Sequence, residues 1–308
     1  MNKSITTSGS KTTAKVTDAV ADQILAKLAS SESKSVVIDA TAGSAASTAV
    51  EISESSLKKL AEVEGIEITL VTDSGRVVLD NKTLESVAAS AGNDGQVTLD
   101  IETVEKSNNL LKVDISISTS GGYVTEFDGG KVTVTVVIDD ELKGKKPVAV
   151  YIDDEGKYYK LGGTLNEDGT FTFVTGHFST YAVMPEADAD KVIKKQEIAA
   201  VKKVKTTVTL STKIVKKGIK VSVKIPASQK ADKTGVIIYR SIKKNSGYAM
   251  YKKVKTSGST YTITNTKNVK GNRLVKGKKY YYKARVYRVI DGKTYYGLMS
   301  SVKYMRAK

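Results

Sequence analysis

The residues with the clearest chemical potential lie near the C-terminal end, in the run Lys279-Tyr280-Tyr281-Tyr282-Lys283-Ala284-Arg285-Val286-Tyr287. A β-strand sends successive side chains to opposite faces. If Tyr280, Tyr282, Ala284 and Val286 point into a core, then Lys279, Tyr281, Lys283, Arg285 and Tyr287 share the other face. Cations interleaved with aromatic rings can hold the oxygens of an anionic polymer while the rings stack on its sugars or bases. The competing reading is a solvated outer face whose lysines discourage edge-to-edge aggregation. Because charges are screened beyond about 8 Å at physiological salt, a dense cluster matters more here than the net charge of the chain.

Other chemistry is sparse. The chain of 308 residues has no cysteine and a single histidine, His177, so disulfides, thiolate catalysis and cysteine-ligated zinc are excluded and a transition-metal site is not expected. The carboxylates at Asp139-Asp140-Glu141 and Asp153-Asp154-Glu155 lack the alternating-oxygen spacing of a calcium loop and read as strand turns in water, while Glu186 to Asp190 reads as linker charge rather than a metal loop. No GxGxxG, GxxxxGK[ST] or GxSxG pattern is present, so no nucleotide or other cofactor is expected and the chain reads as non-enzymatic.

Charge is segregated along the chain. Residues 201–308 hold 29 Lys and Arg against Asp232 and Asp291, a balance of +27, whereas residues 1–200 carry −11. Such asymmetry points to one part that meets an anionic partner and one that does not. No run approaches the roughly 18 apolar residues of a membrane span. The first residues lack the apolar segment of a secretion signal, so if the protein is secreted the signal lies outside this chain.

The elements that must position these residues follow from periodicity. Residues 1–12 read as a frayed tail. Residues 13–106 alternate strand and helix periods: a helix from Asp18 with Val20, Ile24 and Leu28 on one face and Thr17 or Asp18 as cap; a second with Leu57, Leu60 and Ala61 inward and Gly65 as stop; a third capped by Asn81 with Leu84, Val87 and Ala88 inward. This predicts an α+β unit with helices on one sheet face. Residues 107–184 are short alternating strands, expected as a β-sandwich. Residues 185–205 read as a linker, and 206–308 as a second sandwich in which Ile219, Val221, Val223 and Ile225 face inward. The fold class expected is mainly β, with an α+β N-terminal unit and β-sandwich domains, the last immunoglobulin-like.

Resemblances sharpen this reading. The run from Leu274 to Val289, with Tyr280 six residues after Leu274, and the strand "GVIIYRS" ending at Tyr239-Arg240-Ser241 resemble fibronectin type III modules of clostridial-type, Gram-positive surface proteins. The resemblance implies that Tyr280 is a corner tyrosine, buried and bonded through its hydroxyl to nearby backbone; the tryptophan common in animal modules is missing. "GGKVTVTV", "PVAVYIDDEGK" and "TGHFSTYAVM" look like a domain that recurs in large Gram-positive surface proteins. Together they imply an extracellular, cell-wall-associated scaffold or adhesin fragment with its anchor outside this chain, whose basic module contacts an anionic polymer such as teichoic acid or a glycan, or a host surface. Nucleic acid would bind such a module only non-specifically. His177-Phe178-Ser179 also resembles the self-cleavage site of a nucleoporin family and of autoproteolytic receptor and death-domain proteins. That likeness implies Ser179 attacking the carbonyl of Phe178 with His177 as base and a distorted peptide bond between them. The alternation of the same stretch makes it, in the other reading, the start of a terminal strand.

Overall fold

The structure is a computed structural model describing residues 4–43, 45–211, 218–229, 233–256, 258–268 and 270–308. It divides into two compact units, one ending at Ile193 and the next beginning at Lys194. Each is mainly β.

The first unit opens with a hairpin of β1 (Ser4–Ser8) on β2 (Lys11–Val16), turned at Gly9 with φ +61°. The expected frayed tail is therefore ordered strand from Ser4, residues 1–3 lying outside the described residues. The inward residues of β2 are Thr12, Ala14 and Val16, and two small or hydroxylated side chains in three mute the apolar alternation. Helix α1 (Asp18–Ala29) follows, the Thr17 hydroxyl accepting the Val20 N–H and Ala21, Ile24 and Leu28 buried. Next come β3 (Ser35–Asp39), β4 (Ser47–Ser53), α2 (Glu54–Ala61), β5 (Glu67–Thr72), β6 (Gly75–Leu79), α3 (Asn81–Ser90) and β7 (Gln96–Ser107). Leu57, Leu60 and Ala61, then Leu84 and Val87, point inward as their spacing requires.

Two local assignments change. The cap of α3 is Asp80, whose carboxylate accepts the Thr83 N–H at 2.8 Å. Asn81 instead closes the previous helix, donating to the Ala61 carbonyl at 3.1 Å and accepting the Gly65 N–H at 3.0 Å. Gly65 has the left-handed φ of +71°, but it sits in the turn into β5, past a helix that ends at Ala61.

The chain continues through β8 (Leu110–Thr119), β9 (Gly122–Val124), β10 (Val132–Val137), the short α4 (Asp140–Lys143), β11 (Pro147–Ile152), β12 (Tyr158–Gly162), β13 (Thr164–Leu165), β14 (Thr170–Thr175) and β15 (Thr180–Pro185). These strands do not form a separate sandwich. The larger sheet runs β1-β2-β4-β7-β8-β15-β11-β12 with β9 beside β8, and the smaller runs β13-β14-β10-β6-β5-β3. The boundary expected at 106/107 falls in the β7–β8 hairpin, and β10 pairs along β6 from Val132↔Leu79 to Val136↔Gly75. Each of α1, α2 and α3 leaves a strand of one sheet and delivers the chain to the other, so the helices are crossovers between two sheets rather than one layer on a single sheet. One core runs from Ala14 to Val183 and contains all four phenylalanines, Phe127, Phe171, Phe173 and Phe178. Residues 13–106 and 107–184 are thus halves of one body.

The boundary between the two units falls within residues 185–205, expected as a linker with room for a helical turn, and there the chain is helical: α5 spans Glu186–Lys203. In the first unit its Ala189 is fully buried with Val148, Val150, Ala182 and Met184, on the side of β11 and β15 away from the main core. In the second unit Val201 is buried and Glu197 pairs with Arg288 at 3.1 Å. One alanine and one valine leave little for a hydropathy reading to detect.

The second unit is a sandwich of β16 (Thr207–Ser211), β17 (Ile219–Lys224) and β20 (Thr260–Asn265) facing β18 (Thr234–Ser241), β19 (Ala249–Lys255), β21 (Lys279–Ile290), β22 (Lys293–Tyr296) and β23 (Lys303–Arg306). A three-residue 3-10 turn, Ala227–Gln229, precedes β18. All its strand pairs within sheets are antiparallel, β22 and β23 lying along successive halves of β21. Ile219, Val221, Val223 and Ile225 are buried as expected. The Tyr280 ring is buried and its hydroxyl accepts the Val275 N–H at 3.0 Å, the corner geometry that the resemblance to fibronectin type III modules implies. In a core without tryptophan, buried Arg240 stacks 4.6 Å above Tyr251 and donates to Asn265 at 2.8 Å, and the Asn265 amide donates to the Tyr282 hydroxyl. Burial raises the Tyr282 phenol to about 12, the Asn265 bond and the Arg240 charge opposing it.

Candidate functional site

Strand β21 divides its side chains as alternation requires. Tyr280, Tyr282, Ala284 and Val286 are at most 1% exposed, while Lys279, Tyr281, Lys283 and Arg285 lie half-buried on the outer face. Tyr287 departs from expectation. It is only 4% exposed, because its ring lies over Gly235, where a Cβ would come within 2.7 Å, and under the Lys253 ammonium at 4.7 Å. It is a floor for a cation rather than an open stacking platform.

Neighbouring strands supply partners that β21 alone does not reveal. Arg285 sits 4.0 Å over Tyr296 of β22 and 5.5 Å over Tyr239 of β18, whose hydroxyl accepts its Nε–H at 3.1 Å. Lys283 lies 4.2 Å over Tyr248, and Lys279 lies 4.7 Å over Tyr304 of β23. Tyr304 in turn touches Tyr281, directly opposite it in register. The face is therefore a lattice in which each cation rests on a ring. The aromatic residues Tyr239, Tyr248, Tyr296 and Tyr304 and the cation Lys253 were not legible as one site, because only sheet register brings them to β21.

No described carboxylate pairs with a cation of this face. Among the described residues, the acids of the second unit are Glu197, paired with Arg288, and Asp291, paired with Lys194 at 2.6 Å; the latter contact holds the Asp291 carboxyl below its ordinary range. A ring positions a cation without cancelling its charge. The lysines and Arg285 thus remain able to attract an anion while their rotamers are restricted.

His177, Phe178 and Ser179 lie in the first unit, at the entry to β15. The Ser179 hydroxyl donates to the Ile152 carbonyl at 2.8 Å, and no hydrogen bond joins it to the His177 ring among the described residues. The His177 ring instead meets Tyr151 edge to face at 4.7 Å. The His177 carbonyl accepts from Thr175 and from the Tyr181 hydroxyl, the Phe178 N–H donates to Thr125 at 3.0 Å, and none of the three residues has positive φ. This is the geometry of a strand start, in which the nucleophile and base that self-cleavage requires are not paired.

The carboxylate runs serve local structure. Asp139, Asp140 and Glu141 pair with Lys106, Lys143 and Lys145, and the last two contacts lower the Asp140 and Glu141 carboxyls. Asp153 folds its own turn by accepting the N–H groups of Glu155 and Lys157 and the Tyr159 hydroxyl. Glu186 and Asp190 share Lys160. No group of three or more His, Asp or Glu placed to hold a metal occurs among the described residues, and none of their helices is long and apolar enough to cross a membrane.

No family profile and no curated protein matches the chain. Among solved structures, the alpha chain of the chicken interferon gamma receptor is similar at a TM-score of 0.28 and 11% identity, over 57% of this chain and 92% of that one. A likeness at that level bears on neither kinship nor activity.

Proposed function

We propose that this chain is part of a non-enzymatic, extracellular surface protein whose second unit binds an anionic polymer through the face of Lys279, Tyr281, Lys283 and Arg285. The observation that supports the reading most directly is the arrangement of three cations of β21 on tyrosine rings in a unit whose described carboxylates pair elsewhere. Tyr287 belongs to the floor of this site under Lys253. A phosphate-rich teichoic acid of a Gram-positive wall suits it best, since phosphates repeat along a flexible chain and exposed tyrosine edges can meet its sugar and polyol carbons. Retention at a cell wall and a role in adhesion follow from that binding.

The test is binding of the whole chain to purified teichoic acid across a salt series. Three neutralised phosphates predict a fall in log affinity with log salt of slope about −2 to −3, by analogy with other flexible polyanions. Lys283→Glu with Arg285→Glu should lower affinity at physiological salt by about tenfold or more. Binding that persists at high salt or survives both changes contradicts the proposal. DNA at matched salt is the competitor; stronger retention on DNA favours nucleic acid as the ligand instead.

A further inference from the structure

The outer face of the larger sheet in the first unit carries a groove that none of the preceding chemistry uses. One edge of β8 is shared between two partners, β15 along Leu111–Asp114 and β9 along Ile117–Thr119. Where one gives way to the other the surface opens into a cavity of about 190 Å³, its lining including Asp114, Ser116, Tyr123, Asp154, Ser179 and Thr180. Strand β8 buries Val113, Ile115 and Ile117, so its alternation must turn Asp114 and Ser116 outward.

Two features distinguish this groove from a seam between strands. Tyr123 is 77% exposed, yet the hairpin that presents it is anchored. Glu54, fully buried, accepts the Ser120 N–H at 2.6 Å and the Gly95 N–H at 3.1 Å, and the Thr119 hydroxyl donates to the Ser90 carbonyl at 3.0 Å. A Cβ at residue 92 or 95 would come within 3 Å of the Glu54 carboxylate and displace it, so the two glycines leave room for this anchor. The second feature is negative charge without a cation beside it: Asp114 accepts only the Thr180 hydroxyl, at 2.8 Å, among the hydrogen bonds of the described residues. Asp114 faces Glu102 directly across β7 and β8, an arrangement that costs stability, and no lysine or arginine lines the groove.

We infer that this groove binds a hexose bearing a free ammonium group. The apolar C–H face of the sugar stacks on Tyr123. Its hydroxyls donate to carboxylates, which when ionised only accept. The ammonium meets the negative charge of Asp114 and Asp154 beside the tyrosine ring. A neutral hexose makes the first two contacts and lacks the third. The groove has the size of one sugar ring, so affinity for a monosaccharide is expected on the order of 1–10 mM.

The experiment is an amide chemical-shift titration of the full chain with D-glucosamine and, separately, D-glucose at neutral pH. Glucosamine should shift residues 114–125 and 178–180, with glucose at least about fivefold weaker. Tyr123→Ala and Asp114→Asn should each weaken glucosamine by about fivefold or more, with the remaining spectrum unchanged. Lys283→Glu with Arg285→Glu should leave it intact, which separates this site from the anionic-polymer face. No shifts at about tenfold above the expected range, equal binding of glucose, or indifference to both substitutions overturns the inference.

Discussion

The two units pair their cations differently. In the first, lysines meet carboxylates: Lys11 with Asp100, Lys15 with Glu51, Lys106 with Asp139, Lys145 with Glu141, Lys160 with Glu186 and Asp190. In the second, Lys194 and Arg288 meet carboxylates while Arg240, Lys253, Lys279, Lys283, Arg285 and Lys293 rest on tyrosine rings, and every cation–ring contact among the described residues lies there. A carboxylate cancels a lysine at a distance, while a ring only fixes it in place. The same basic residue types are therefore cancelled in one unit, where acids outnumber them, and left cationic in the other. The cores differ likewise. Aliphatic side chains, all four phenylalanines and Tyr181 fill the first, whereas the second has no phenylalanine and pairs its aliphatic residues with Tyr280 and Tyr282, whose hydroxyls find partners.

The largest expected effect concerns the unity of the first unit. Leu70→Ala and Phe173→Ala, on opposite sides of the boundary expected from periodicity, should each cost about 2–5 kcal/mol. Both should lower one shared thermal transition, by roughly 4–20 °C at about 2–4 °C per kcal/mol. Hydrogen exchange should show β5, β6 and β14 losing protection together. Independent transitions for residues 13–106 and 107–184 would break the description of one core.

Acid should then separate the units. The Ser120 hydroxyl and the N–H groups of Ser120, Gly95 and Gly92 hold Glu54 below its ordinary range. Burial pushes Asp73 up, but the N–H groups of Ala45, Gly43 and Ala42 together outweigh it and the net direction is down. A carboxyl depressed in the folded state contributes stability that is complete above its unfolded value, about 3.9 to 4.3, and is lost as pH falls through its lower folded value. Below about pH 4 the first unit should destabilise progressively, and the second, with Asp291 as its one described carboxyl depressed by an ion pair, should change less. Melting followed by unit-specific amide signals from pH 7 to pH 2 checks this; an equal decline of both units contradicts it.

The smallest effect tests what the rings do. Tyr239→Leu with Tyr296→Leu keeps every charge but removes both supports of Arg285. Polymer affinity should fall only about threefold, well short of the charge reversal, since the rings only hold Arg285 in place and the charge that meets the polymer remains. A loss as large as the reversal would mean that the tyrosines bind the ligand themselves.

Much of the local structure was legible in the residues. The spacing of Ile24 and Leu28, of Leu57 and Leu60, and of Leu84 and Val87 gave the buried helix faces, and the alternation of Tyr280 to Val286 gave the inner face of β21. Where reading failed, the signal was small or distant. Thr12 and Ala14 conceal a strand, Ala189 and Val201 conceal the buried side of a helix, and Asp80 and Asn81 are equally good caps in sequence. The pairing of β6 with β10 leaves no local trace at all.

By itself, the amino-acid order determined the separation of charge, the period of each element and the residue on each side of a strand, because these depend on neighbours along the chain. Only tertiary structure decided that two expected domains share one core, that Tyr287 lies beneath Lys253, and that Tyr239, Tyr248, Tyr296 and Tyr304 carry the cations of β21. Those outcomes depend on which strands lie side by side and in what register, and register is settled by contacts between residues far apart in the chain.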